Sequence, residues 1–401
     1  MKKQALQLGA AAILTSFLAS CAHTPPSAHA SLPSVSAPNT SNKVALHLYE
    51  KLPIYAKAAK LSWEPIQIKK PIKPGHHDSS IPVIRERLMA LRDYESGPNK
   101  STLYDFQLAH AVMQFQNEHG LKEHGVINQE TIEALNVTPA KRYREMVDSM
   151  NQWAKYPEDS SSRYVLVNIP SYTMKLIDHG QAVLQMKVIV GRELRPTPTL
   201  SSSITTIVFN PQWTVPKTIL AKDVIPGMRE NPNYMKVHYD MHVYANYDKD
   251  AREINASSID WQNVSASNFT YRVTAPPSDK NPLGRVKFIF NNEHDVYMHD
   301  TPEKSLFALK DRARSSGCIR LEDSMALVHY FYSDNSDLNE GLVNQYLSTY
   351  ETKYIQLQNP LPVYVTYMTA WADHFGRIYF GRDIYPTEMK MRDFSAQITS
   401  S

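Results

Sequence analysis

Residues 315–321 read Ser-Ser-Gly-Cys-Ile-Arg-Leu, and residues 299–302, upstream of them, read His-Asp-Thr-Pro. Cys318 is one of only two cysteines in the 401-residue chain. A nucleophilic thiol needs a neighbouring base, donors for the oxyanion, and access. His299 is the candidate base, and Gly317 lets the amides of residues 317 and 318 approach a reacting carbonyl. The segment predicts a cysteine nucleophile whose thiol pKa is lowered by the adjacent imidazole.

Two other interpretations of these residues involve different chemistry. A lone cysteine is commonly an inert small hydrophobic residue of the core, although the polar neighbours of Cys318 are unusual there. A zinc site would use His294, His299 and Cys318 as ligands. Because His294 and His299 are five residues apart, a strand would place them on opposite faces. We therefore expect neither a metal nor a cofactor.

The N-terminus has the order of a secretory signal peptide. Residues 1–20 contain two lysines and then an apolar run that is too short for a confident membrane span. The last residues, Leu18-Ala19-Ser20-Cys21, resemble the bacterial lipobox, which implies cleavage before Cys21 and lipid on its sulfur. The alternative is an ordinary signal peptide that happens to have a cysteine near its cleavage site.

A lipid at Cys21 implies a periplasmic protein anchored to a membrane through that lipid. Ala22 and His23 lack the Asp that resembles an inner-membrane retention mark, which favours the outer membrane. Cys318 is then the only thiol left, so no intramolecular disulfide is possible. A lone thiol in an oxidising compartment favours a reactive role.

The charge of the chain is nearly balanced, with 43 Lys and Arg against 40 Asp and Glu and a formal net charge of +3. Because acids and bases are interspersed, nothing predicts nucleic-acid binding. The length is enough for two or three domains. Residues 21–42 are rich in Pro and Ser and are predicted to form a flexible tether after the anchor.

Helical spacing begins near residue 43. Three apolar series mark helices: Ile84, Leu88 and Leu91; Leu108, Val112 and Phe115; and Ile132 with Leu135, preceded by Asn128 as N-cap. We expect a small three-helix domain over residues 75–137, with segments 43–74 and 138–160 as a helical scaffold and connector.

Parts of this helical domain resemble the peptidoglycan-binding repeat of bacterial wall hydrolases. The matching residues are Ala111-Val112-Met113-Gln114-Phe115-Gln116, then Gly120-Leu121, then Gly125-Val126-Ile127. The resemblance implies binding to the glycan of the cell wall. The other interpretation is that these residues are the core of the bundle, which is expected of Val112 and Phe115.

The pattern changes from helix to strand near residue 163. Short β-branched and aromatic runs predict strands over residues 164–169, 173–178, 183–190, 204–209, 286–291 and 296–299. Residues 217–280 form a polar insertion, predicted to be a small subdomain or a lid. Residues 323–350 look helical, residues 363–370 and 378–380 look like a closing strand pair, and 351–401 form C-terminal strands and a tail.

Residues 163–322 resemble the L,D-transpeptidases of the YkuD type, most closely their large periplasmic members, which implies a catalytic domain over residues 163–350. The resemblance rests on 299–302 and 315–321 together with Val190-Gly191-Arg192, Arg195-Pro196-Thr197-Pro198, Asn210-Pro211-Gln212-Trp213-Thr214-Val215-Pro216 and Asn281-Pro282-Leu283-Gly284-Arg285-Val286-Lys287-Phe288. It implies a multidomain protein with a mostly-β, β-sandwich-like catalytic domain and a helical insertion or lid. Many family members have His where this chain has Ser316, so no role of that His is carried over.

The resemblance also implies roles for the site residues. Cys318 would be the nucleophile and His299 the general base and acid, oriented by the backbone carbonyl of Asp300, with the backbone of Gly317 in the oxyanion hole. The substrate would be a peptidoglycan tetrapeptide stem, which acylates Cys318 and releases D-Ala. An amine of a second stem, or of a protein, would resolve the thioester.

Four side chains are candidates for binding the substrate: Arg320, Ser316, Tyr297 and Trp213. Arg320 would hold a stem carboxylate, or else pair with an internal Asp or Glu. Tyr297 and Trp213 would line the donor cleft, or else belong to the core. Two alternatives to transpeptidation stay open: a carboxypeptidase that uses water as the acceptor, and a wall-binding structural lipoprotein without catalytic activity.

Overall fold

The computed structural model describes residues 32–94 and 99–385. The chain divides into two units, residues 1–34 and 35–401. Only residues 32–34 of the first unit are described, and they have no regular secondary structure. The predicted signal peptide, Cys21, residues 22–31 of the predicted tether and residues 386–401 of the predicted tail lie outside the described residues.

Among the described residues of the second unit, five helices precede the strands along the chain and five lie between strands. They are α1 (Lys43–Ala58), α2 (Ile81–Leu91), α3 (Phe106–Glu118), α4 (Gln129–Asn136), α5 (Pro139–Trp153), α6 (Lys217–Ile219), α7 (Ile225–Glu230), α8 (Tyr234–Val237), α9 (Ser324–Tyr330) and α10 (Glu340–Thr349). A π-helix spans Leu220–Val224, and 3₁₀ turns span Ala256–Ser258, Lys304–Ala308 and Phe331–Ser333. In the described part of the chain, no helix is long and apolar enough to cross a membrane.

Helices α2, α3 and α4 form the predicted three-helix domain. Asp105 and Asn128 cap α3 and α4 by accepting hydrogen bonds from the amides of Leu108 and Thr131. The predicted apolar series pack together in one core. That core begins before residue 75, because Ile66 and Ile72 pack into it. The segment 43–74 is therefore a scaffold helix only over α1, and its second half belongs to the three-helix domain.

The strands form a β domain after residue 163. They are β1 (Arg163–Asn168), β2 (Thr173–Asp178), β3 (Gln181–Gly191), β4 (Leu200–Phe209), β5 (Trp213–Thr214), β6 (His242–Tyr244), β7 (Glu253–Ile254), β8 (Arg272–Ala275), β9 (Val286–Phe290), β10 (Met298–His299), β11 (Ala313–Ser315), β12 (Ile319–Leu321), β13 (Lys353–Thr366), β14 (Ala370–Ala372) and β15 (Ile378–Phe380).

Nine of these strands form one sheet in the order β11-β3-β12-β10-β9-β4-β13-β1-β2. An additional pairing of β2 with β3 joins the two sides of the sheet. Strand β3 pairs with β2 over its first half and with β12 over its second half. Its burial rises along the strand accordingly, because only the second half faces the apolar interior. The strands therefore enclose one hydrophobic core. The sequence prediction of a mostly-β domain is confirmed.

The insertion over residues 217–280 has its own core and its own sheet. Helices α6, α7 and α8 are accompanied by a four-stranded sheet in the order β5-β8-β6-β7. The prediction of a helical insertion is therefore incomplete. Strand β5 precedes the insertion and pairs with β8, so Trp213 is buried in the core of the insertion. The weak periodicity of this segment reflects strands of only two to four residues.

The C-terminal strands pair differently from the prediction. Strand β13 lies inside the nine-stranded sheet, between β4 and β1. The hairpin partner of β15 is β14, not residues 363–369. Helix α5 is tied to this hairpin because the indole of Trp153 donates to the carbonyl of Ala370 at 3.0 Å. A single sequence does not reveal that the last long strand completes a sheet begun two hundred residues earlier.

Candidate active site

Strands β10 and β12 bring the candidate residues to one face of the sheet. The two strands are parallel, with His299 directly opposite Arg320. Side chains alternate between the two faces of a strand, so both point away from the hydrophobic core. The same alternation puts Tyr297, two residues before His299, and Cys318, two residues before Arg320, on that face. Residues distant in sequence therefore share one surface because of the register of two short strands.

His299 is buried and held by a backbone carbonyl. Its side chain is only 4% exposed. Its Nδ1 donates to the carbonyl of Asp300 at 2.5 Å. Burial, and then the nearby charge of Arg320, lower the pKa of His299 to about 3. The imidazole is therefore neutral at physiological pH, and its unprotonated Nε2 can accept a proton.

The side chain of Asp300 fixes the carbonyl that His299 uses. Its Oδ2 accepts from the amide of Arg285 at 2.9 Å, and its Oδ1 accepts from Nζ of Lys304 at 2.7 Å. Gly284, which precedes Arg285, passes directly against the carboxylate. The loop before β9 therefore orients the base indirectly, by holding Asp300.

Cys318 is a free, half-buried thiol. Burial raises the pKa of Cys318, while hydrogen bonding to Tyr297 and the charges of Lys287 and Arg320 oppose that rise. The expectation of a lowered thiol pKa is therefore wrong, because desolvation outweighs the favourable neighbours. Both residues are described, yet the structure gives no hydrogen bond between Cys318 and His299. The resting pair is a neutral thiol beside Tyr297 and a neutral imidazole.

The loop before Cys318 is fixed by hydrogen bonds that occupy the Gly317 amide. This amide donates to Oγ of Ser315 at 3.1 Å, and Ser315 donates to the carbonyl of Cys318 at 2.6 Å. The carbonyl of Gly317 accepts from Thr197 at 2.7 Å. The predicted oxyanion role of the Gly317 amide is therefore not available in this conformation. The amide of Cys318 has no partner among the described residues and is the remaining backbone donor.

Ser316 links the nucleophile loop to the insertion. Its hydroxyl lies 2.9 Å from Nη1 of Arg195, which is only 10% exposed. The same guanidinium binds Asp223 in the π-helix of the insertion through both nitrogens. One half-buried arginine thus contacts both the insertion and the residue two positions before Cys318. Arg195 belongs to a motif in the sequence, but its residue type and neighbours did not indicate a role in the site.

Arg320 pairs with an internal carboxylate. Its Nη1 binds Glu303, and the arginine side chain is 14% exposed while the glutamate is 44% exposed. Of the two alternatives for Arg320, the internal ion pair is therefore the one observed. Its Nε is buried and has no hydrogen-bond partner in the described part of the chain.

Trp213 and Tyr297 contact each other at the junction of the insertion and the sheet. Trp213 is 7% exposed and packs in the insertion core, with its ring 6.0 Å from that of Tyr239. Tyr297 is half-buried, and its ring lies 5.7 Å from the imidazole of His299. Trp213 is therefore a core residue of the insertion that supports Tyr297, and Tyr297 is the aromatic residue at the thiol.

The candidate zinc ligands do not converge. His294 is exposed in the turn 291–295, where its amide donates to Asn292, whereas His299 is buried on the sheet. Across residues 32–94 and 99–385 no group of three His, Cys, Asp or Glu side chains is placed to hold a metal ion.

Two family models match the chain. Residues 162–335 match the YkuD family, described as "L,D-transpeptidase catalytic domain". Residues 77–135 match a family described as "Putative peptidoglycan binding domain". The first match contains all the residues of the site described above, and the second contains α2, α3 and all of α4 except its last residue.

The chain is also similar to individual proteins. A Haemophilus influenzae protein described as "Putative L,D-transpeptidase" is 34% identical over 55% of this chain and 44% of its own length. A solved L,D-transpeptidase from Mycobacterium smegmatis covers 51% of this chain and 59% of its own, with 12% identity and a TM-score of 0.23. One from Stackebrandtia nassauensis covers 73% and 96%, with 12% identity and a TM-score of 0.26.

The chain spans less than half the length of the H. influenzae relative and about three fifths of the M. smegmatis chain. The chain contains an L,D-transpeptidase catalytic domain of the YkuD family, preceded by a peptidoglycan-binding domain.

Proposed function

We propose that this protein is a peptidoglycan L,D-transpeptidase that uses Cys318 as its nucleophile. The thiol attacks the carbonyl that joins the L-centre of diaminopimelate to the terminal D-Ala of a tetrapeptide stem. The C–N bond to D-Ala breaks and a thioester remains. The observation that carries the proposal is the shared face of Cys318, His299 and Tyr297 within the matched catalytic domain.

Proton transfer in this site starts from two neutral groups. Nε2 of His299 takes the thiol proton as the C–S bond forms, and the Asp300 carbonyl stabilises the resulting imidazolium. The imidazolium then protonates the leaving amine of D-Ala. In the second half-reaction the acceptor amine gives its proton to His299, attacks the thioester and releases the thiol. Burial keeps His299 neutral, which supports a role as the base that accepts the thiol proton and not as a permanently charged imidazolium.

The resting thiol must turn before it reacts. Cys318 is hydrogen-bonded to Tyr297 and not to His299. Rotation about χ1 of Cys318 brings the sulfur towards the imidazole, and catalytic hydrogen bonds are commonly formed only in the substrate complex. The phenol of Tyr297 and the amide of Cys318 are then the donors for the oxyanion.

The stem binds between the sheet and the insertion. Arg320, with its unpartnered Nε, binds a stem carboxylate in competition with Glu303. Ser316 and Tyr297 line the donor side, and Trp213 shapes that side from the insertion core. The insertion acts as a lid that limits access of water to the thioester. The link from Asp223 through Arg195 to Ser316 supports coupling between lid and nucleophile.

The peptidoglycan-binding domain, the lipid anchor and the tether keep the catalytic site close to its substrate. The peptidoglycan-binding domain holds the glycan, and the ion pair of Glu123 with Lys310 at 3.1 Å joins it to the catalytic domain. Lipid at Cys21 anchors the chain in the periplasm, with the outer membrane as the favoured site. The tether lets the anchored enzyme reach the wall.

Incubation of the full-length protein with tetrapeptide muropeptides tests the proposal. We expect released D-Ala together with dimers that carry a three-to-three cross-link, identified by mass spectrometry. Tripeptides without dimers would instead assign a carboxypeptidase with water as acceptor. Well-folded protein that releases no D-Ala and forms no covalent adduct with a carbapenem would leave only the wall-binding structural role. A lysine-containing wall protein added to the same mixture tests the protein amine as acceptor.

Gly284 gives a test of the carbonyl that orients His299. A Cβ at Gly284 would lie 2.3 Å from Oδ2 of Asp300, and the backbone φ is +62°. We expect Gly284→Ala to displace Asp300, to lower the free energy of unfolding by about 2 kcal/mol and to slow acylation about 100-fold. Chemical unfolding and the rate of D-Ala release measure the two effects.

Gly75→Ala is the matched control for this substitution. Gly75 also has a positive φ, +84°, but nothing lies within 4 Å of an added Cβ. It should therefore show the backbone cost alone and acylate at the normal rate. Equal acylation rates for the two variants would show that the side chain of Asp300 does not orient His299.

A further inference from the structure

Lys287 lies on the same face as the nucleophile. Strand β9 is antiparallel to β10, and Lys287 is directly opposite His299. The residues on either side of it, Val286 and Phe288, are fully buried in the core. The side chain of Lys287 therefore points to the other face, under the insertion, with His299 and Arg320.

The ammonium of Lys287 touches the residue that contacts the thiol. Its Nζ lies 3.6 Å from the centroid of the Tyr297 ring. A cation over an aromatic face is attracted by the quadrupole of the ring, most strongly where water is excluded. Lys287 thus fixes one side of the Tyr297 ring, while Trp213 contacts the phenol.

Lys287 and Arg320 differ in whether a neighbouring carboxylate balances their positive charge. Arg320 is paired with Glu303, so its charge is largely balanced. Lys287 has no carboxylate within ion-pairing distance in the described part of the chain; the anionic groups that act on it are ionised Cys318 and, more weakly, Asp295. Burial lowers the pKa of Lys287, and the nearby thiolate opposes that change. An unbalanced ammonium beside a buried thiol is best satisfied when the thiol is ionised.

We infer that Lys287 is a positioning residue for the nucleophile: its ammonium is the counter-charge of the Cys318 thiolate and holds Tyr297 beside it. The inference rests on the proposed role of Cys318, but it concerns the ionisation of the thiol before any substrate binds. It assigns a third strand of the sheet, β9, to the active site.

The pH dependence of alkylation measures this role without a peptidoglycan substrate. Full-length protein is treated with iodoacetamide between pH 6 and pH 11, and modification of Cys318 is followed by mass spectrometry of the tryptic peptide 315–320. We expect Lys287→Met to move the midpoint to higher pH by about one unit, so that alkylation below the midpoint slows about tenfold. Well above both midpoints the rates should converge, which shows that access to the thiol is unchanged.

Other groups that face the thiol are present in every variant, so the shift reports Lys287. They are Tyr297, His299 and Arg320, while Asp295 acts on Lys287 itself. Lys287→Arg keeps the positive charge and should stay within about half a unit of the wild-type midpoint. Lys287→Gln provides a second neutral variant with a polar side chain if the Met variant unfolds, and it should shift the midpoint in the same direction.

Lys175→Met is the matched control, because Lys175 is also a half-buried lysine on a strand of the sheet and is influenced by Glu158 instead of the thiol. Its midpoint should equal that of the wild type. Folded Lys287→Met or Lys287→Gln with an unchanged midpoint would overturn the inference. If the wild type releases no D-Ala from muropeptides but the midpoint still moves, the proposed function fails and the role of Lys287 stands.

Discussion

Cys318→Ala is expected to abolish acylation, with D-Ala release from tetrapeptide muropeptides falling by at least about 10⁴-fold. Among the described residues Cys318 is the free thiol, and it shares one face of the sheet with His299. The alanine side chain fits the half-buried site without a steric conflict, so the fold should persist. Incubation with a carbapenem, whose β-lactam carbonyl acylates the thiol, should give no mass increase for this variant.

The second cysteine provides the control for this experiment. Cys21→Ala removes the predicted lipid site and should leave the carbapenem adduct and the release of D-Ala intact in purified protein. A mass increase that persists in Cys318→Ala and disappears in Cys21→Ala would contradict the assignment of the nucleophile. Thermal unfolding of both variants separates loss of chemistry from loss of structure.

His299→Gln is expected to slow acylation about 10³-fold at neutral pH and much less at alkaline pH. Since burial raises the pKa of Cys318 and lowers the pKa of His299 to about 3, the resting thiol keeps its proton at neutral pH. The variant lacks the base that removes this proton, so it depends on thiolate formed by hydroxide. Its rate should rise about tenfold per pH unit up to the thiol pKa, while the wild-type rate rises less steeply. Stopped-flow absorbance measures the rate of carbapenem acylation of the variant and of the wild type from pH 6 to pH 10.

The alternative to this mechanism is a preformed pair of thiolate and imidazolium. Such a pair would give the wild type a rate that is constant down to acidic pH, and His299→Gln would be impaired equally at every pH. His329→Gln is the control for replacing a histidine, because His329 lies exposed on α9 and packs on Tyr332. It should match the wild type throughout.

The neutral resting state has a consequence for an enzyme outside the cytoplasm. A thiolate is the form that oxidants and disulfides attack, and it is also the nucleophile for the substrate. A half-buried thiol that keeps its proton at rest is protected between turnovers. The counter-charge of Lys287 then matters most during attack, when the sulfur carries negative charge.

The three-helix domain could be predicted from the sequence because its cues are local. Apolar residues at intervals of three and four mark the buried faces, and Asp105 and Asn128 satisfy the first amides of the helices that follow them. These features need no knowledge of the rest of the chain. The boundary before Ile66 was missed because an irregular segment that joins a core has no periodicity of its own.

The insertion could not be predicted in the same way. Its strands are too short for an alternating pattern, and they pair across gaps of up to sixty residues. Trp213 illustrates the result: its sequence neighbourhood left the donor cleft and the core as alternatives, and the pairing of β5 with β8 puts the side chain into the core of the insertion. Arg195 was overlooked because its partners, Asp223 and Ser316, come from two other segments.

The sequence by itself determined which residue types are proposed for the site: a cysteine after Ser-Ser-Gly and a histidine nineteen residues upstream, with the carbonyl after this histidine implied by the family resemblance. Residue types carry that information because nucleophile, base and orienting group each need a particular functional group. Only the tertiary structure decided the charge states and the available donors. Burial keeps thiol and imidazole neutral, Ser315 occupies the Gly317 amide, and strand register brings Lys287 beside Tyr297. Desolvation and charge depend on which atoms surround a group in space, and strand pairing sets those neighbours.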